Sequence, residues 1–146
     1  MKHRMFAVVA ATVIFATGLI AAPSAAQAAL TCSGTRVDTV AVKNGAGTTV
    51  ARVGVYRSGQ TYCAVAVKAG SYYGTSSWMA LVIHKTVDGS LVHKTDSGDF
   101  RYQTDALSIY AGNADSRRIC FDVQVEALNS TRQFLASKCY YLPLSV

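Results

Sequence analysis

The chain has 146 residues, the length of one ordinary domain, and carries 14 Lys and Arg against 8 Asp and Glu. This length excludes large multidomain enzymes and nucleotide-binding folds that need a second substrate domain. The net charge of +6 is small and scattered, so it does not indicate a nucleic-acid-binding protein.

Residues 1–28 have the pattern of a secretory signal peptide. The basic start Met1–Arg4 precedes an apolar run, Met5–Ala22, and Ala26–Ala28 offers an Ala-x-Ala cleavage site. Polar and small residues within the run weigh against a transmembrane anchor. We therefore predict cleavage after this site. The product, residues 29–146, is a secreted domain with no membrane segment and a net charge of +4, which favours loose contact with acidic wall polymers.

All four cysteines remain in the predicted secreted domain: Cys32, Cys63, Cys120 and Cys139. Export leads to an oxidising compartment, where an even cysteine count indicates two disulfides. No Cys-x-x-Cys or Cys-x-x-His spacing occurs, so the sequence does not indicate structural zinc, and we predict no metal and no cofactor. Cys32 lies just past the apolar run, but the residues before it do not fit a lipid-attachment site.

The secreted domain consists of short alternating runs rich in Val, Thr, Tyr and Ala, which predict strands, and no stretch has helical periodicity. We predict strands near residues 36–43, 49–57, 61–68, 78–87, 91–95, 101–110, 117–128 and 132–142. Turn residues separate most of these runs, including Asp96–Asp99. The pattern predicts one all-β domain, a small disulfide-stapled antiparallel β-sandwich or barrel.

The turn at Asp88-Gly89 predicts a two-residue hairpin loop, and the resulting register places His84 opposite His93. Two imidazoles on one face of a hairpin are candidate ligands for zinc, copper or nickel, with Asp96 or Asp99 as a further oxygen ligand. The sequence forces no third ligand near them, so we expect a solvent-facing pair that binds no metal.

A second hairpin turns at Asn129-Ser130, and its register places Cys120 opposite Cys139, within disulfide reach. This pairing leaves Cys32 with Cys63. The alternative joins Cys63 to Cys120 and Cys32 to Cys139. The alternating pattern of the first strand also predicts one buried stripe, formed by Ile119, Phe121, Val123, Val125 and Ala127.

The segment Gly70–Trp78 carries three aromatic residues among small hydroxylated ones: Tyr72, Tyr73 and Trp78. Aromatic rings in such surroundings suit contacts to sugars or peptides, so these three are the candidate contact residues for a ligand or partner. The alternative is that Tyr72 or Tyr73 folds back to cover the end of a sheet.

An enzyme would need an acid and a base, and Glu126 is the only glutamate. Together with His84 or His93 and with Arg118, it would resemble the acid–base set of small secreted ribonucleases. However, Glu126 is expected opposite Gln133 on an exposed face, and no hydrolase, metalloprotease or phosphate-loop motif occurs. We therefore predict no catalytic residues.

Three segments resemble the spore-associated protein A family, small secreted proteins of actinobacteria: Lys43–Thr48, Ser58–Val65, and Asp96–Tyr102 leading to a strand and Cys120. The resemblance implies a secreted β protein at the cell or spore surface, and it supplies no catalytic residues.

The expected function is therefore that of a non-catalytic surface protein that binds cell-wall glycan or another surface partner. The alternative is a secreted protease inhibitor that presents Gly112–Arg118 beside a disulfide, with Arg117 or Arg118 entering a trypsin-like pocket. A small secreted hydrolase such as a ribonuclease is the third possibility. A membrane or nucleic-acid partner is not expected.

Overall fold

The computed structural model describes residues 31–142, so the predicted signal peptide and its cleavage site lie outside the described residues. The strands are β1 (Thr35–Lys43), β2 (Thr49–Ser58), β3 (Thr61–Lys68), β4 (Ser77–Val87), β5 (Ser90–Phe100), β6 (Leu107–Tyr110), β7 (Arg118–Glu126) and β8 (Gln133–Tyr141). Single 3₁₀ turns span Gly70–Tyr72 and Asp115–Arg117. All strand pairs are antiparallel, in two four-stranded sheets of order β1-β2-β3-β6 and β5-β4-β7-β8.

The hydrophobic core lies between the two sheets, because alternate residues of each strand point inward. Buried inward residues include Val53, Val55, Tyr62, Ala64, Met79, Leu81, Ile83, Ile119, Phe121, Val123 and Val125. The predicted stripe on β7 is therefore buried, except for Ala127, which follows the last strand residue and is half-buried. The structure confirms the predicted all-β fold and makes it a sandwich.

Both predicted hairpin registers are confirmed. Asp88 and Gly89 have φ values of 50° and 76°, which a two-residue hairpin turn requires, and His84 faces His93. On β7 and β8, Cys120 faces Cys139.

The two disulfides join Cys32 to Cys63 and Cys120 to Cys139, with Cα–Cα distances of 5.6 and 4.0 Å. This is the pairing that the hairpin register predicts, and the alternative pairing of Cys63 with Cys120 is wrong. The first bridge ties the segment before β1 to β3, and the second lies within the β7–β8 hairpin. Two disulfides are consistent with an oxidising environment.

The prediction fails between residues 91 and 110. Asp96–Asp99 is not a turn, because β5 continues through it to Phe100, and only Leu107–Tyr110 of the predicted strand 101–110 is a strand. The long β4 supplies cross-strand partners as far as Ser77 opposite Phe100, and this pairing outweighs the turn preference of the intervening residues. Other strand ends differ from the prediction by at most two residues.

Residues 101–106 carry the chain from one sheet to the other. There, Thr104 takes the place of a strand residue beside β3: its N–H donates to the carbonyl of Ala66 at 3.0 Å, and its Oγ1 accepts the N–H of Ala66 at 3.1 Å. Thr104 thus bonds to the backbone of β3 without being part of a regular strand.

A buried lysine on β3 reaches the opposite sheet. Lys68 is 2% exposed, and its Nζ donates to the carbonyls of Thr75, Ser77 and Phe100, the first two at 3.0 and 2.8 Å. Burial lowers the pKa of this ammonium, and the negative charge of Asp99 opposes that change. The carbonyls compensate a cation that is removed from water.

A second buried lysine reaches across in the other direction. Lys85 of β4 is 7% exposed, and its Nζ donates to the carbonyl of Tyr110 at 2.6 Å and to the side-chain oxygen of Asn113. In each sheet, therefore, one buried lysine donates hydrogen bonds to backbone carbonyls of the facing sheet or of the loop that leads to it. Such buried charges are tolerated because each ammonium group donates to at least two oxygen acceptors.

On the side where β1 and β8 meet, Asp38 joins the two sheets. Its carboxylate accepts hydrogen bonds from the ammonium of Lys138 and, at 2.8 Å, from the hydroxyl of Tyr140. The Lys138 bond and then the Tyr140 bond lower the pKa of Asp38 below 3.8.

We expect this carboxylate to make the fold sensitive to acid. Because the pKa of Asp38 is lower in the folded than in the unfolded protein, its contribution to stability is present above the unfolded-state pKa and is lost as the pH falls through the folded-state pKa. Asp38→Asn should lower the melting temperature at pH 7 and weaken its decline between about pH 5 and 2. Thermal unfolding across that range checks this, with the exposed Asp88→Asn as control. Parallel curves for wild type and Asp38→Asn would contradict it.

Candidate binding surface

An open groove of about 580 Å³ lies where β5 leaves its sheet. Its lining residues are Thr31, Tyr73, Asp99, Phe100, Arg101, Tyr102 and Gln103. Five of them are consecutive, from the end of β5 into the segment that crosses between the sheets. The extension of β5 and the early start of the crossover, which the sequence did not predict, thus create this groove.

Two tyrosines form an exposed aromatic pair in the groove. The rings of Tyr73 and Tyr102 have centroids 5.0 Å apart and are tilted by 60°, and the residues are 57% and 50% exposed. The N–H of Gly74 donates to the carbonyl of Arg101 at 2.8 Å, which holds the two segments together. Gly74 has φ +83°, a conformation that favours glycine. The aromatic pair is therefore preformed on a fixed backbone.

Polar side chains of three kinds surround the aromatic pair. Asp99 contributes a carboxylate, Arg101 an exposed guanidinium, and Gln103 an amide. Together they provide hydrogen-bond donors and acceptors beside apolar ring faces. This combination suits polyhydroxylated ligands, which have both C–H faces and hydroxyl groups.

The three aromatic residues predicted as contact residues are not brought together. Tyr72 is only 8% exposed and packs in the core, the folded-back alternative, whereas Tyr73 lines the groove. Trp78 is half-buried in β4, opposite Asp99, and is not a lining residue. Sequence reasoning missed Tyr102, because it lay inside a segment predicted as regular strand.

His84 and His93 lie opposite each other on the outer face of the second sheet, and His84 Nε2 is 2.9 Å from Asp122 Oδ2. The two carboxylates considered as further metal ligands lie elsewhere: Asp96 accepts the N–H of Asp105, and Asp99 lines the groove. Within residues 31–142, no group of three His, Cys, Asp or Glu residues is arranged to hold a metal ion.

We expect the two histidines to be dispensable for stability. Changing both His84 and His93 to Gln should alter the free energy of unfolding by less than about 0.5 kcal/mol, as is usual for surface positions. Urea unfolding measures this change, and calorimetric titration of the dialysed protein with zinc and copper tests for a metal site. Tight one-to-one binding that the double variant loses would contradict the prediction.

The structure does not assemble the ribonuclease-like set. Arg118 and Glu126 are the first and last residues of β7. Glu126 faces Gln133 at the turn end of the β7–β8 hairpin, whereas Arg118 lies at the opposite end. His84 lies opposite Cys120, close to the Arg118 end. A glutamate separated from the histidine by most of a strand is not within hydrogen-bond reach of a shared substrate atom.

The loop proposed to enter a protease is folded back. Ser116 and Arg117 have φ values of 54° and 52°, within the 3₁₀ turn, so the loop is not extended there. The carboxylate of Asp115 accepts the N–H groups of Asp88 and Gly89 at 3.1 and 2.9 Å, which fixes the loop against the β4–β5 turn.

Comparisons with protein-family models, curated proteins and solved structures find no match for this chain. Among residues 31–142, no helix is long and apolar enough to cross a membrane. The geometry of the groove is therefore the basis for assigning a function.

Proposed function

We propose that this protein is an exported, non-catalytic module that binds glycan at the cell surface through the groove around Tyr73 and Tyr102. The observation that carries the proposal is the preformed pair of half-exposed rings with a carboxylate, a guanidinium and an amide beside it. Aromatic faces pack against the C–H face of a sugar ring, while the polar groups bond its hydroxyls.

Four features support an extracellular location and a surface role. The first 28 residues have the signal-peptide pattern, and two disulfides suit an oxidising compartment. The resemblance to spore-associated proteins of actinobacteria points to the same location. The net charge of +4 without residues 1–28 favours an acidic wall polymer over a neutral one.

The structure gives less support to the alternatives. A protease inhibitor would present an extended loop, whereas Ser116 and Arg117 lie in a tight turn. A hydrolase of the ribonuclease type would need Glu126 beside a histidine, and these groups lie along different parts of β7 and β4.

Sedimentation of the purified secreted protein with isolated cell wall tests the proposal directly. We expect wall-dependent sedimentation, with Tyr73→Ala and Tyr102→Ala each weakening the apparent affinity roughly tenfold, equivalent to about 1.4 kcal/mol. Tyr141→Ala is the matched control, because Tyr141 is 63% exposed but lies on β8 outside the groove. Sedimentation that is absent, or that is unchanged in both groove variants, would contradict glycan binding at this site.

A further inference from the structure

Strand β5 is an edge strand with an open side. It pairs with β4, and no other described strand pairs with it. Because Val87 and Ser90 close a two-residue hairpin, the backbone groups of Leu91, His93, Thr95 and Ser97 point away from β4. Residues 90–95 are exposed on both faces of the strand, including Leu91 at 63% and Val92 at 42%.

An open edge of this length is a template for pairing with another chain unless it is blocked. Lysine on an edge strand normally blocks such pairing, because a second copy would meet it with a like charge. On β5, however, Lys94 is followed two residues later by Asp96, on the same face of the strand. The edge therefore carries opposite charges at the spacing needed for self-complementarity.

We propose that β5 pairs with β5 of a second copy of this chain in antiparallel orientation, with Thr95 facing Thr95 of the second copy. This register makes Lys94 face Asp96 of the second copy, and the two-fold axis repeats the contact. Thr95 and its equivalent exchange backbone hydrogen bonds, so the charged pairs occupy neighbouring non-hydrogen-bonded positions, where side chains approach most closely.

Charge selects this register over its neighbours. Shifting the centre of pairing to Lys94 places the two lysines opposite each other, and shifting it to Asp96 places the two carboxylates together. Like charges directly opposite destabilise a strand pair, whereas opposite charges stabilise it. Of these three registers, only the one centred on Thr95 satisfies both charges, so a specific dimer is favoured over mixed edge association.

The same register also covers exposed apolar surface. Val92 then faces Gly98 of the second copy, which has no side chain to oppose it. A Cβ at Gly98 would be 3.8 Å from the Phe100 ring, so the valine also approaches an aromatic residue. The sheets that contain β5 in the two copies then join into one eight-stranded sheet, in the order β8-β7-β4-β5-β5-β4-β7-β8. The inference does not depend on glycan binding.

Disulfide trapping of the full secreted chain tests the register. Opposed strand residues lie within disulfide reach, so the Thr95→Cys variant should form covalent dimers under mild oxidation. Ser97→Cys is the matched control: its two copies would be separated by four residues along the strands, roughly 13 Å, beyond reach. Unreduced peptide mapping confirms that the native bridges are intact. Equal dimer yields from the two variants, or none, would overturn the proposal.

Sedimentation velocity over a range of concentrations tests the charge contact. Wild type should self-associate, and Lys94→Glu should weaken association about tenfold or more, because each contact then joins two acidic groups. A mixture of Lys94→Glu with Asp96→Lys should associate again, since both contacts become attractive. Asp96 also accepts the N–H of Asp105, so circular dichroism must first show that Asp96→Lys folds. A wild-type monomer at all concentrations, or an unaffected Lys94→Glu dimer, would overturn the proposal irrespective of that variant.

Discussion

Replacing Lys68 with methionine is expected to lower the free energy of unfolding by about 3 kcal/mol. Methionine fills nearly the same space but cannot donate a hydrogen bond. The carbonyls of Thr75, Ser77 and Phe100, which now accept from the ammonium, would lose this donor in a site from which water is largely excluded. Acceptors left unpaired in such a site each cost about 1 to 3 kcal/mol.

Urea unfolding followed by tryptophan fluorescence measures this loss, because Trp78 directly follows Ser77, whose carbonyl binds the lysine. Lys43→Met is the matched control, since Lys43 is exposed at the end of β1 and should change stability by less than about 0.5 kcal/mol. If Lys68→Met and Lys43→Met unfolded at the same urea concentration, the hydrogen bonds from Lys68 to these carbonyls would have no stabilising role.

Removing either disulfide should lower the free energy of unfolding by an amount comparable to that expected for Lys68→Met. The bridges close loops with sequence separations of 31 and 19 residues, which the chain-entropy model converts to about 4 and about 3 kcal/mol respectively. The double variant Cys32→Ala with Cys63→Ala should therefore unfold at lower urea than Cys120→Ala with Cys139→Ala. The order follows from loop length alone.

Urea unfolding of the two double variants, with the remaining bridge verified by unreduced peptide mapping, checks both magnitude and order. Double variants are required because a single replacement leaves a free thiol that exchanges with the other bridge. A loss below about 1 kcal/mol for both would show that the unfolded chain is not constrained as the model assumes.

Local sequence signals predicted most of the fold because they act over a few residues. Asp88-Gly89 specifies its turn through its tolerance of positive φ, and this turn fixes which residues of β4 and β5 face each other. Once the β7–β8 register is known, Cys120 has one partner on the opposite strand. These predictions required no knowledge of the facing sheet.

The parts that failed depend on contacts between distant segments. Asp96–Asp99 has the composition of a turn, but the length of β4 decides that it is a strand. The local sequence does not single out Lys68 or Lys85, because each is buried only by packing against the facing sheet. The groove depends on the same long-range pairing, so Tyr102 could not be matched to Tyr73 from the sequence.

The crossover between the sheets also connects the groove to the interior. The N–H of Lys68 donates to the carbonyl of Tyr102 at 2.8 Å, and the N–H of Ala66 donates to Thr104 Oγ1. Hydrogen exchange at these two amides requires residues 102–104 to detach, because among the described strands β6 pairs only with Thr61–Ala64 on that side of β3. The exchange rates of two amides inside the sheet thus report how often the wall of the groove opens, and a ligand held against Tyr102 would slow both.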